Sequence, residues 1–335
     1  MLKSRGRFGR NRRPKRNFDI RTAVSKFFES IGISPEKDLR YPVLYHYTST
    51  YGALKILESQ KFWATAHDCT NDKGELISAN AAVFDVAQAW RKNLTGLAAR
   101  ALDFFLRDYD REGIAKIRTA YLACFSIARD DENQWRRYGC NGKGVCLGVR
   151  VINEPGPESE EVFSRLFEVV YSEEAMRTWF SGALGKTCLA LAKYPSTNHN
   201  IRCTLASVNG LAAFASITTK TPEWSSEREV RHVTMDRFES GVTPSVRTSA
   251  DGKEIRYLPV SLRADGKLIA LDEIIIGADQ DFDEVHKQFE GVLASKGYVE
   301  GSIEYPKFTQ SSASSLREQG KVPSCNGSDL LVKLN

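Results

Sequence analysis

The spacing of hydrophobic and polar positions changes period repeatedly along the chain. In IRTAVSKFFESIG, Ile20, Val24, Phe27 and Ile31 fall at helical spacing, and Gly32 with Pro35 stops that helix. VLYHY (43–47) reads as a buried strand. Thr48, Ser49 or Thr50 can cap the helix after it, whose core positions are Leu54, Ile56 and Leu57. KFWATAHD (61–68) alternates as a second strand, and 68–74, rich in Asn, Asp and Gly, as a loop. Two helices follow over about 75–94 and 96–117, then strands over 121–127 and 144–150 joined by a polar segment holding Trp135 and Tyr138. Residues 161–172 predict a strand, and about 173–193 and 200–217 predict helices. Strand patterns return at 229–236, 255–262 and 268–277, a helix at 282–297 closed by Gly297, and a last strand in SIEYPKF. The pattern is α+β: two small sheets with a helical insertion over about 75–117, in one domain over 18–308.

Composition modifies this at the two ends. The whole chain carries a net +5, but residues 1–16 hold eight Lys or Arg and no acid. Subtracting those eight leaves −3 for the rest, so a basic arm (1–17) precedes a slightly acidic domain. Gly, Asn and Pro in the arm break any helix. Such an arm binds polyanions, nucleic acid above all, through salt-sensitive phosphate contacts, or is a solvated tail. From Thr309 the chain turns Ser- and Gly-rich, and 309–335 reads as a weakly ordered tail. No apolar run is long enough for a membrane span. Seven cysteines without a CxxC fit neither a zinc ribbon nor a disulfide framework, and point to a reducing cytoplasm.

Phosphate-loop, dinucleotide-fingerprint, zincin and nucleophile-elbow signatures are absent from the sequence. Four clusters remain: YHYTS (45–49) with Asn71-Asp72 downstream, ACFSIARDDENQWRRYGCNGKGVCLGV (123–149), VVYS (169–172) and KTPEWSSEREVR (220–231). Each also reads as core packing or a solvated strand face. In the last, a strand over 229–235 puts Glu229, Arg231 and Val233 on one face, with Glu227 at the loop–strand junction. A carboxylate beside an Arg stays ionised, as stabilising a cationic transition state requires.

These clusters, in this order, resemble the domain-of-unknown-function 2971 family over roughly residues 41–306. The resemblance is carried by Tyr45-His46-Tyr47-Thr48, Ile56-Leu57-Glu58-Ser59, Asn71-Asp72 with Glu75, Cys124-Phe125-Ser126, Trp135 and Tyr138, and Gly144-Val145-Cys146-Leu147-Gly148. It continues through Val169 to Tyr171, and Lys220, Trp224, Glu227, Glu229 and Arg231. Lys73 stands where that family usually has Pro. The layout is similar to that of ADP-ribosyltransferases: a first-strand His, a middle Ser or Tyr, and a late Glu-x-Glu, here Glu227-Arg228-Glu229.

That likeness implies an ADP-ribosyltransferase-like split β-sheet core and an NAD-dependent transferase, a bacterial toxin or phage-defence effector acting on nucleic acid or protein. It implies Glu229, Glu227 and His46 as catalytic residues. It implies NAD contacts from His46, Tyr47, Thr48, Asn71, Phe125, Ser126, Tyr138 and Arg231. Cleaving the nicotinamide–ribose bond builds positive charge on the ribose, which a nearby Glu stabilises. An antitoxin or other regulatory protein is the expected partner, and no membrane. Three alternatives stay open: an NAD glycohydrolase, a non-catalytic nucleotide- or nucleic-acid-binding module, and a nuclease holding Mg²⁺ on Asp72, Glu75, Glu227 and Glu229.

Overall fold

The computed structural model describes residues 43–69, 73–109, 120–151, 162–236, 243–248, 252–261, 269–302 and 305–313. The basic arm, the helix expected over IRTAVSKFFESIG, Asn71-Asp72, residues 110–119 and the chain after Ala313 lie outside them. The strands are β1 (Leu44–Ser49), β2 (Lys61–Ala66), β3 (Ala120–Ser126), β4 (Gly144–Val151), β5 (Val162–Glu168), β6 (Glu229–Asp236), β7 (Ser245–Thr248), β8 (Glu254–Ser261), β9 (Ile269–Ile276) and β10 (Lys307–Gln310). The helices are α1 (Thr50–Ser59), α2 (Lys73–Arg91), α3 (Gly96–Asp108), α4 (Glu132–Arg137), α5 (Glu173–Leu191), α6 (Asn198–Ile217) and α7 (Phe282–Ser295). The Ser49 hydroxyl, among the three residues able to cap α1, accepts from Gly52 N–H.

Instead of two sheets there is one ten-stranded sheet among the described residues, antiparallel except where β10 joins β9. The reason lies in β3. Its whole length pairs with β6 on one edge, and β6 pairs on with β5. The other edge is shared. β1 pairs at one end, Tyr45 opposite Ser126, and leads to β4, β9 and β10. β2 pairs at the other end, Thr65 opposite Leu122, and leads to β8 and β7. Extending either register would bring Tyr47 and Trp63 to the same place opposite Cys124. Both cannot sit there, so β1 and β2 part. The Cys124 carbonyl, left without a strand partner, accepts instead from His46 Nδ1 at 2.9 Å.

Side chains alternate across this sheet. One face carries Leu44, Ala64, Phe125, Leu147, Val230 and Ile274, buried under Ile56 and Leu57 of α1 and Phe289 and Leu293 of α7. On the other face Trp135 of α4 covers Tyr47, Cys146 and Ile275. Farther along that face Phe167 of β5 packs against Phe214 of α6, ring centroids 4.6 Å apart. The expected helical insertion does not stand alone, because α2 and α3 pack with α5 and α6. Asn80 on α2 ties this group, its Oδ1 accepting from Tyr109 (2.8 Å) and from Ser216 of α6 (2.7 Å). No described helix is long and apolar enough to cross a membrane.

The last strand is displaced from its expected place. β10 runs Lys307–Gln310, so the fold continues beyond 308 and the tail does not begin at Thr309. Ser311 and Ser312 then bond Asp130, whose carboxylate also accepts from Trp135 Nε1 at 2.8 Å. Ser311 and Ser312 therefore brace the turn that leads into α4.

Candidate active site

The two carboxylates of Glu227-Arg228-Glu229 converge because the chain turns sharply between them. Pro222–Glu227 forms a 3₁₀ turn, and Arg228 adopts a left-handed conformation (φ 46°) as its cap before β6 begins. Glu227 is held from both ends. Its backbone carbonyl accepts from Ser126 Oγ (2.7 Å) and Gln134 Nε2 (2.8 Å). Its carboxylate accepts from Tyr138 (2.5 Å), Arg137 (3.2 Å) and Lys220 (2.5 Å). Glu229 accepts from Arg231 Nε (2.8 Å) and from Lys220 Nζ (2.8 Å), while its own N–H donates to the Tyr171 hydroxyl (2.8 Å). Arg231 also donates to the Ile217 carbonyl at the end of α6 (2.6 Å).

Lys220 joins the two carboxylates. It follows α6 in a segment anchored to Val170 by backbone hydrogen bonds, Lys220 N–H to Val170 O and Val170 N–H to Thr218 O. Glu227, Glu229, Lys220 and Arg231 are all buried. Burial alone would raise the Glu229 pKa, but Arg231, Lys220 and the Cys124 thiol outweigh it and hold the carboxyl at about 2. Burial also works against the Lys220 charge, and the two carboxylates more than offset it, so its ammonium titrates above the ordinary lysine range. Glu229 and Lys220 are therefore both ionised at neutral pH.

This cluster borders open space. Cys124 lies on the same face as Glu229 and Arg231, since Cys124 is opposite Arg231 and Ser126 opposite Glu229. It is exposed, although its strand neighbours Ala123 and Phe125 are buried. It lies where β1 and β2 part along the edge of β3, and this parting, with Cys124 exposed in it, is the cleft. The surrounding protein atoms, and then the Glu229 charge, push its thiol well above the ordinary value. At the rim, Tyr138 is 42% exposed although its hydroxyl end is sunk against Glu227. Trp224 is half-buried, with the Arg137 guanidinium 4.5 Å and the Lys220 ammonium 5.5 Å from its ring centre.

Of the residues expected here, Glu227, Glu229, Ser126, Tyr138 and Arg231 are brought together. His46 is not. Register puts Tyr45 on the face of Ser126 and Glu229, so His46 points to the opposite face, where its ring meets Phe62 (5.2 Å) and Phe125 (5.8 Å). Burial lowers its pKa, against the hydrogen bond to Cys124 O. Phe125 belongs to the same core. Tyr47 faces the site side, but its hydroxyl donates to Ala128 O (2.7 Å) and accepts from Asp131 N–H (3.0 Å), and its ring is packed on Trp135. Thr48 points, like His46, to the core face. Asn71 lies outside the described residues, as do Asp72 and the Glu75 side chain. Among the described residues no three His, Cys, Asp or Glu side chains gather as metal ligands. Sequence reasoning used Cys124 only within Cys124-Phe125-Ser126, as part of the resemblance, and did not single out the bridging role of Lys220. The signal for Cys124, a lone cysteine inside an apolar strand, was present but ambiguous.

Neither the curated proteins nor the solved structures contain a match to this chain. Residues 134–232, which carry Gln134, Arg137, Tyr138, Lys220, Glu227, Glu229 and Arg231, match the model of a family described as "Protein of unknown function (DUF2971)", in support of the resemblance to that family.

Proposed function

We propose that the cleft above Cys124 is the site of an NAD-dependent ADP-ribosyl transfer, in a core of ADP-ribosyltransferase type. The observation that carries this reading is the position of Glu229: an ionised carboxylate, at a loop–strand junction, bordering a cleft with an exposed floor. In such a transfer the nicotinamide–ribose bond breaks with its electron pair leaving on nicotinamide, and the acceptor's nucleophile closes on the ribose carbon. Glu229 supplies the negative charge that stabilises the cationic ribose. Glu227 stands two residues away, facing Tyr138 and Arg137 at the rim, where the acceptor enters. Tyr138 and Trp224 offer ring faces to the nicotinamide, and Arg137 offers charge to the diphosphate. His46 becomes a positioning residue that holds the β3 backbone where the sheet opens, in place of the ribose contact expected of it.

A second reading, a nucleotide-binding module without turnover, draws on one further observation. Both carboxylates already carry ion pairs, and with Arg137 and Arg231 the five charges of the cluster sum to +1. That balance favours an anionic ligand and weakens the field of Glu229 on a cation. Nicotinamide release from NAD separates the two. The transferase reading expects release that falls at least a hundredfold in Glu229→Gln. Thermal stabilisation by NAD without release would establish the binding module.

A further inference from the structure

We propose that the face of β2, β8 and β7 beside the cleft binds single-stranded nucleic acid. Three registers define this face. Thr65 is opposite Leu122, Tyr257 is opposite Thr65, and Ser245 is opposite Tyr257. Alternation then places Lys61, Trp63, Thr65, Tyr257, Ser245 and Arg247 on the side of the sheet that carries Cys124 and Glu229. Trp63 stands where β2 leaves β3, so the face adjoins the parting of β1 and β2.

Its chemistry is that of a stacking platform. Trp63 and Tyr257 are both half-buried, ring centroids 5.5 Å apart and tilted 45°. The Arg247 guanidinium lies 5.8 Å from the Trp63 ring centre. Among the described residues of these three strands no Asp or Glu points to this side. Glu254, next to Ile255, points to the other, as does Arg256, which pairs with Asp68. Arg247 has no such anion: its Nε has no hydrogen-bond partner among the described residues. Half-buried rings beside cations that lack a counter-charge among the described residues fit a ligand with bases and phosphates along one strand. A duplex does not fit, because its bases are already stacked on one another. The eight Lys or Arg of residues 1–16 add phosphate affinity to the same chain. The binding stands without the chemistry proposed above. Only the further step, that the strand is the acceptor presented to Glu227 and Glu229, rests on the transferase reading.

The test is fluorescence anisotropy of the full chain with short labelled RNA and DNA single strands, with heparin as a polyanion that has no bases. Trp63→Ala is expected to weaken single-strand binding about tenfold and leave heparin binding unchanged. Arg247→Gln is expected to reduce the slope of log affinity against log salt by about 0.7. Trp63→Phe, which keeps a ring, is expected to retain binding and covers the case in which Trp63→Ala does not fold. Preference for RNA or DNA identifies the strand. Equal oligonucleotide affinity in wild type and a folded Trp63→Ala would overturn the proposal and leave the arm as the binder. Tighter binding of duplex, or a Trp63-dependent dimer with no oligonucleotide binding, would overturn it as well. Nicotinamide release, measured separately, decides the chemistry independently of this result.

Discussion

Lys220 carries more of the site than either glutamate. One ammonium bridges two buried carboxylates, and burial leaves neither open to water if it is lost. Lys220→Met keeps the volume and removes the charge, so it is expected to lower the unfolding free energy by about 3–5 kcal/mol. Urea unfolding at pH 7 measures this, and a change below about 1 kcal/mol would show that Arg231 and Arg137 suffice. The residue scale also answers what YHYTS is for. Tyr45 donates to Glu273 (3.1 Å), Tyr47 braces the turn before α4, and His46 fills the core side of the split. The alternation was legible in five letters. Which of the three side chains shares a face with Glu229 was not, because that depends on the Tyr45–Ser126 and Ser126–Glu229 pairings between distant strands.

At the scale of elements, the two halves of the site are held by backbone packed on backbone. A Cβ at Gly144, the first residue of β4, would stand 2.3 Å from the Thr48 carbonyl and 2.9 Å from that of Gly139, groups that cannot turn aside. Gly144→Ala is expected to cost about 1–3 kcal/mol in urea unfolding and to loosen the turn between α4 and β4. Unchanged stability would mean that β1 and β4 slide apart without penalty. The element pattern itself was mostly readable. β6 spans 229–236 as its alternation predicts, and β2, β3 and β8 fall within two residues of their expected ends. β10 begins several residues later than the strand expected in SIEYPKF, because its four residues carry little period and its parallel pairing with β9 is a tertiary contact.

For the whole molecule, buried titrating groups set how acid unfolds it. His232 is buried in β6, and burial lowers its pKa to about 4 from 6.5. The unfolded chain takes up that proton below 6.5 and the folded chain does not, so stability is full above 6.5 and declines as pH falls towards 4. Glu229 acts lower. Its folded pKa of about 2 lies below 4.5, so its contribution is present above 4.5 and lost as pH falls towards 2. Each step is on the order of 3 kcal/mol. A pH series of urea midpoints is expected to show both declines; burial lowers His46 and His67 as well, so His232→Gln shows a smaller first decline and keeps the second. A wild-type curve flat between 6.5 and 4.5 would remove His232 from the account.

The sequence by itself determined the α+β pattern, the order of most elements, the basic arm and the Glu-x-Glu at a loop–strand junction. All of these rest on local periodicity and local charge, which neighbouring residues specify. The tertiary structure decided the rest: one sheet instead of two, a split because β1 and β2 compete for one edge of β3, His46 on the far face, and Cys124 on the cleft floor. It also brought Lys220 between the two glutamates. Those facts depend on strand register and on contacts between residues far apart in the chain, and such contacts are chosen only when the whole hydrophobic face is buried at once.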